Sequence, residues 1–390
     1  MHAIPGIIIA LALTVFAAKA EPAVAQPADP GAARPAAFFP SEAEVAQLVR
    51  PYIDGRQARG IVVGLVEPDG RRRVLAFGDA GEGLPPLSAD SVFEIGSITK
   101  TFTGAVLADM VRRGEVRLDD PVGRYLPEGV RVPTFEGRQI TLLDLATHMS
   151  GLPRLPDGYV PPDPANPYAR FAASDLYAFL QDYALTRAPG AQFEYSNLGM
   201  GLLGHALARA AGADSFQSLV ADRVLHPLGM SSTAYGRPEA LLPRMTRGHD
   251  ANGDSAPYFD VAALAGGGGL NASVSDLLAY LDANLGEPSS PLEQAMRDAQ
   301  RGHRSPRPGV GLGLGWMRMT RGPLTLVGLN GNTTGYSTYL AINPDVGAGV
   351  VVLANTGGFE HADAIGRRLL DPQWSLEPAP RTGTPAKHPD

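Results

Sequence analysis

The spacing of apolar residues changes period along the chain. Val45, Leu48 and Val49 recur at helical intervals behind Ser41, with Glu44 in the capping-box position, which predicts a helix over 41–56. Two short apolar runs, 61–66 and 74–77, flank Pro68-Asp69-Gly70 and predict a β-hairpin. From Ser97 the period returns to helical: Ile98, Phe102, Val106, Met110 and Val111 fall on one face. Helices are predicted over 174–183, 198–211 and 216–225, and Gly266 to Gly269 lead into another at about 275–285. Towards the C-terminal end the runs 324–327, 337–342 and 349–353 read as strands, with Asn343-Pro344-Asp345 as a turn and a last helix over 360–370. Strand-forming segments therefore lie at both ends, with a largely helical region of about 105–265 between them. There is no internal repeat.

The first residues follow a different rule. The apolar run 7–18 has signal-peptide length, is too short to span a bilayer, and is followed by small residues that allow cleavage after Ala20 or Ala25. No Lys or Arg precedes the run. This predicts export to the periplasm or medium, with 1–25 as signal peptide, 26–40 as an Ala/Pro-rich linker, 41–372 as the folded body and 373–390 as a loose tail. No other segment is long and apolar enough to predict a stable membrane span.

Composition alters this picture in three places. Lys and Arg total 33 against 40 Asp and Glu, a net charge of −7, which argues against a nucleic-acid partner. Cysteine is absent, so thiol catalysis, disulfides and Cys-ligated metals are excluded. Of the 33 basic residues only Lys19, Lys100 and Lys387 are lysine. Lys100 is thus the sole lysine of the body, in a chain that uses Arg wherever charge alone suffices.

Lys100 also stands three residues after Ser97, on the same helical face. A serine hydroxyl becomes nucleophilic when a neighbouring base takes its proton. A lysine can serve if burial or nearby cations depress its pKa, whereas Arg stays protonated. Tyr195-Ser196-Asn197 offers a phenol that can relay a proton and an amide that can both donate and accept; its plainer reading is an Asn N-cap behind a half-buried Tyr. Gly331 to Gly335, at the end of a predicted strand, offers close backbone approach and N–H donors for an oxyanion, or else an ordinary turn. The chain has no G-x-S-x-G elbow, no metal-ligand spacing among its eight histidines and no P-loop, so neither metal nor cofactor is expected.

Taken in order, Ser-x-x-Lys, Tyr-x-Asn and a Gly-containing strand make the chain resemble the serine β-lactamases of class C and their relatives, the DD-peptidases and esterases of the same fold. The segments 93–104, 114–121, 140–148, 195–198, 227–230 and 351–355 carry the resemblance, over roughly 41–372. It implies an α/β (α+β) fold of the β-lactamase/transpeptidase type, an antiparallel sheet from both chain ends flanked by helices beside an all-helical subdomain. It also implies Ser97 as the acylated nucleophile, Lys100 and Tyr195 as its proton handlers, and Asn197 as a hydrogen-bond partner of the substrate amide and of Lys100. The N–H groups of Ser97 and Asn332 would form the oxyanion hole.

The third motif, usually Lys-Thr-Gly or His-x-Gly, is here Leu329-Asn330-Gly331, which removes a basic side chain for a substrate carboxylate; Asn330, Thr333 or Thr334 would replace it by neutral hydrogen bonds. The expected partner is a small molecule, acted on by a monomer. β-Lactam hydrolysis leads. A carboxylesterase with weak β-lactam activity, a D-Ala-D-Ala carboxypeptidase and a non-catalytic binder of cell-wall peptides are the alternatives.

Overall fold

The computed structural model describes residues 37–156, 158–163 and 166–377. The expected signal peptide lies outside them, as do the linker up to Ala36 and the tail from residue 378. Helix α1, Glu42–Asp54, starts as the sequence dictates: Ser41 Oγ accepts the Glu44 N–H while the Glu44 carboxylate accepts the Ser41 N–H. The hairpin β1 (Gly60–Val66) and β2 (Arg72–Gly78) follows, paired from Gly60↔Gly78 to Val66↔Arg72. Strand β3 (Val92–Glu94) runs through a single 3₁₀ turn, Gly96–Ile98, into α2 (Thr99–Arg112).

The middle of the chain supplies α3 (Leu142–Ala146), α4 (Ala173–Asp182), α5 (Asn197–Ala210), α6 (Phe216–Val220) and the two-residue β4 (Ala234–Tyr235). Next come β5 (Leu270–Ser273), α7 (Val274–Leu285) and α8 (Pro291–Gln300). The chain closes with β6 (Arg304–Arg307), β7 (Val310–Leu312), β8 (Met317–Arg321), β9 (Leu324–Asn332), β10 (Ser337–Asn343), β11 (Ala348–Ala354) and α9 (His361–Leu370).

The main sheet is antiparallel, in the order β2-β1-β11-β10-β9-β8-β7-β6, so the N-terminal hairpin is stitched onto the last strand of the chain. Helices α1 and α9 cover one face, burying Val49, Tyr339, Val352 and Ile365 together; the other face packs Val62, Leu340 and Val351 against Phe102 and Leu277 of α2 and α7. With both faces covered, β1, β10 and β11 are buried along their whole length. That is why they read as continuous apolar runs rather than alternating ones.

A second small sheet, β3-β5-β4, was not anticipated, because strands of two to four residues are too short to show a period. Its strand β5 lies between the glycine run Gly266 to Gly269 and the helix predicted at about 275–285. The chain runs extended through Leu270–Ser273 first, and the last strand residue, Ser273, then caps α7 by accepting the Asp276 N–H at 3.1 Å. The predicted helix 216–225 is broken, α6 giving way to a wider π turn over Ala221–Leu225. Helix α8 and strands β6 to β8 went unread; the strands carry polar, partly exposed residues such as Arg304, Arg307, Arg318 and Arg321.

One detail of register positions the site. Strand β8 pairs with β9 only as far as Gly328, whereas β10 pairs with β9 to Asn332. The last four residues of β9 thus have a sheet neighbour on one side and an open edge on the other.

Candidate active site

Ser97 is the one partly exposed residue in an otherwise buried stretch, 91–100. It sits in the 3₁₀ turn because Gly96 adopts φ +51°, a left-handed conformation that a side chain would disfavour. The turn also presses on the end of β9: a methyl on Gly96 would lie 2.8 Å from Asn332 N, and one on Gly331 would lie 2.0 Å from Ile95 O. Thr338 bridges the same two segments, its hydroxyl donating to Ile95 O and Gly331 O, each at 3.1 Å. The amide of Asn332 is thereby brought against the Gly96–Ser97 turn at the open edge of β9, next to the Ser97 N–H.

The Ser97 hydroxyl receives two donors, Lys100 Nζ at 2.9 Å and the Tyr195 hydroxyl at 2.7 Å. The first contact follows from helical spacing, the second from packing, since Tyr195 lies 98 residues along the chain. Lys100 is fully buried, and burial holds its pKa below the ordinary lysine value. The Arg154 guanidinium pushes the same way and Tyr195 opposes. Nζ also donates to Gly267 O at 2.5 Å, and Thr103 Oγ1 donates to Gly266 O at 2.7 Å. The glycine run therefore serves α2 as a ladder of carbonyl acceptors.

Asn197 was expected to meet Lys100. Instead the Gly267 carbonyl takes that place, and Asn197 Oδ1 is buried without a partner among the described residues. The helix cap at α5 is Ser196, whose hydroxyl accepts the Gly199 N–H at 2.8 Å, so the Asn197 side chain is not spent on capping. Asn330 pairs with Tyr339, on the sheet face that packs on α9, while Leu329 and Gly331 share the opposite face. The Asn330 side chain is exposed there and does not replace the missing basic group on the Ser97 side, because successive strand residues alternate faces. Leu329 is 4% exposed.

Three residues around the site escaped the reading of motifs. His148 is fully buried, stacks on the Tyr195 ring at 4.5 Å, and accepts the Ser196 N–H at Nδ1 over 3.1 Å. Burial first, then the nearby Lys100 charge, pull its pKa down to about 3, so the ring is neutral at physiological pH. Glu94 accepts the Phe259 N–H at 3.1 Å, and burial pushes its pKa up to about 7, partly offset by the Thr333 hydroxyl, that N–H and Arg237. Arg154 lies over the Tyr195 ring with 5.3 Å to the centroid, and its carbonyl accepts the Asn197 and Leu198 N–H groups. None of the three is set apart by spacing. His148 and Arg154 reach Tyr195 from turns and loops, and Glu94 acts through its side chain at the end of β3.

The arrangement combines a hydroxyl held by a depressed amine and a phenol with two backbone amides beside it. It is equipped for nucleophilic attack on an acyl carbon and for holding the resulting oxyanion.

A family model described as Beta-lactamase matches residues 45–372. The D-alanyl-D-alanine-carboxypeptidase/endopeptidase AmpH of Escherichia coli (strain K12) is 33% identical over 310 residues, 74% of this chain and 78% of that protein. A protein named Beta-lactamase from Pseudomonas fluorescens is 30% identical over 341 residues, 79% of this chain and 91% of its own. Among solved structures, a β-lactamase/D-alanine carboxypeptidase from Yersinia pestis, complexed with citrate, superposes with a TM-score of 0.69 at 26% identity, covering 82% of this chain and 94% of that one.

Proposed function

The chain belongs to the Beta-lactamase family, and from that premise we propose that it is an exported serine hydrolase that opens β-lactams through an acyl-enzyme on Ser97. The observation that carries the reading is the pair of contacts on Ser97 Oγ, from a fully buried lysine and from the Tyr195 hydroxyl. In acylation, Oγ bonds to the lactam carbonyl carbon and the ring C–N bond breaks. The serine proton leaves through Lys100 or Tyr195 and returns to the departing nitrogen. With its pKa lowered, Lys100 can be a neutral amine that donates to Gly267 O while its lone pair takes the serine proton. The N–H groups of Ser97 and Asn332 receive the oxyanion. Water then adds to the acyl carbon, the C–Oγ bond breaks, and the proton returns to Ser97. Export is supported by the apolar run 7–18, and no helix among the described residues is long and apolar enough to cross a membrane.

Two observations favour second readings. The 33% identity to a D-alanyl-D-alanine carboxypeptidase supports cleavage of D-Ala-D-Ala peptides by the same chemistry. Leu329, in place of a basic residue, supports esterase activity. A kinetic panel of nitrocefin, a short p-nitrophenyl ester and a D-Ala-D-Ala peptide separates the three. Nitrocefin turnover by the wild type, abolished in Ser97→Ala, is the expected result. Folded enzyme that never turns over nitrocefin overturns the β-lactamase reading. A long-lived penicilloyl adduct on Ser97 would assign the carboxypeptidase instead, and ester turnover alone the esterase.

A further inference from the structure

Leu329 leaves the open edge of β9 without the cation expected there, yet a cation, Arg154, lies over the Tyr195 ring beside the nucleophile. The Arg154 side chain is exposed. Among the described residues its guanidinium forms no ion pair, and its side-chain contact is with the Tyr195 ring. Its backbone is nevertheless fixed to the catalytic segment. Arg154 O accepts from Asn197 N at 3.0 Å and from Leu198 N at 3.3 Å, and the preceding Pro153 O accepts the Ser196 hydroxyl at 2.7 Å. The Cα of Arg154 is thus tied to Tyr195-Ser196-Asn197 while its charge stays available. That charge is felt by Lys100, His148 and Tyr168, the titratable groups around it.

Position decides which part of a substrate such a cation would meet. The leaving nitrogen must collect its proton from the Tyr195 hydroxyl or Lys100, so the leaving group lies on the Tyr195 side of Ser97. In β-lactams and in D-Ala-D-Ala peptides alike, the carboxylate is carried by the carbon bonded to that nitrogen. We propose that Arg154 is a specificity-determining residue that receives the leaving-group carboxylate, supplying from the 151–156 loop the charge that β9 lacks at Leu329. The inference rests on the serine-hydrolase reading above. A guanidinium suits the role because its fork matches a carboxylate with two parallel donors.

The test is a pair of esters with the same acyl group, one leaving as phenol and one as 3-carboxyphenol, so that only the leaving-group charge differs. The quantity read is the ratio of kcat/KM for the charged over the neutral ester. Arg154→Ala is expected to lower this ratio by about ten- to a hundredfold, mostly through KM of the charged ester, the loss that one charge-assisted hydrogen bond represents. Arg154→Lys, which keeps the charge but not the fork, should recover only part of it. If Arg154 merely props the Tyr195 ring, both esters slow together. A ratio within threefold of wild type in Arg154→Ala, whatever the separate rates do, overturns the proposal. Hydrolysis of neither ester by the wild type would instead bring down the serine-hydrolase reading, and this inference with it.

Discussion

Lys100 and Arg154 both lie against the Tyr195 ring, at 4.9 Å and 5.3 Å from its centroid, and share almost nothing else. Lys100 sits on α2, fully buried, with Nζ held by Ser97 Oγ and Gly267 O. Arg154 sits on a loop, exposed, its backbone hydrogen-bonded to Asn197 and Leu198 and its guanidinium over the ring. Removing water from an amine makes its proton easy to lose, which suits the side where a proton must be moved. Leaving water around a guanidinium keeps it charged and mobile, which suits the side where a ligand must be found. The one ring thus touches both a buried amine and an exposed guanidinium.

The largest effect is expected from erasing the difference at the buried amine. Lys100→Arg puts a permanent cation where a neutral amine is needed, and kcat for nitrocefin should fall by about 10²–10⁴-fold, the usual worth of a positioned general base. A variant within tenfold of wild type in steady-state assays would show that Lys100 carries charge only. Tyr195→Phe keeps the ring that both cations touch but removes the hydroxyl on Ser97. A fall in kcat of about 10²-fold is expected in the same assay, with the selectivity ratio between charged and neutral esters preserved.

The remaining two predictions concern stability and carry opposite signs. His148 stays neutral in the native state down to about pH 3, while in the unfolded chain it binds a proton below about 6.5. Its contribution therefore weakens as pH falls through that window. His148→Asn, which tolerates the φ of +55° and can still accept from Ser196, should remove this slope. Between pH 6.5 and about pH 5, wild type should lose about 1.6 kcal/mol relative to the variant in urea titrations.

Glu94 behaves inversely. It keeps its proton to about pH 7 in the native state but ionises above 4.5 when unfolded, so its contribution weakens as pH rises from 4.5 to 7. Glu94→Gln should gain on wild type by about 1.1 kcal/mol from pH 5 to pH 6, followed by thermal or urea unfolding. Parallel pH profiles for wild type and variant would contradict the assignment in either case.

The sequence made the buried amine legible and left the exposed guanidinium dark, for physical reasons. Ser97 and Lys100 are neighbours on one helical turn, and the scarcity of lysine marked Lys100 before any contact was known. The long buried strands and the capped helix α1 announced themselves through period and capping chemistry. Arg154 and His148 sit in loops and reach Tyr195 across forty or more intervening residues, so spacing could not join them. Gly267 acts through a carbonyl, which every residue has and no composition reveals. Asn330 was read as a contact because it lies in the motif; strand alternation, once the register was known, turned its side chain to the other face.

The glycine contacts around Ser97 bear on how such an enzyme can change. A methyl on Gly331 would lie 2.0 Å from Ile95 O, and one on Gly315 would lie 2.0 Å from Lys100 O. Backbone touches backbone there, so point mutation has no small step to take. Variation in substrate range is therefore expected at side chains that do not hold these backbone contacts together, such as Leu329 and Arg154. Laboratory evolution under a changing antibiotic should accumulate its substitutions at such positions while the glycines stay fixed.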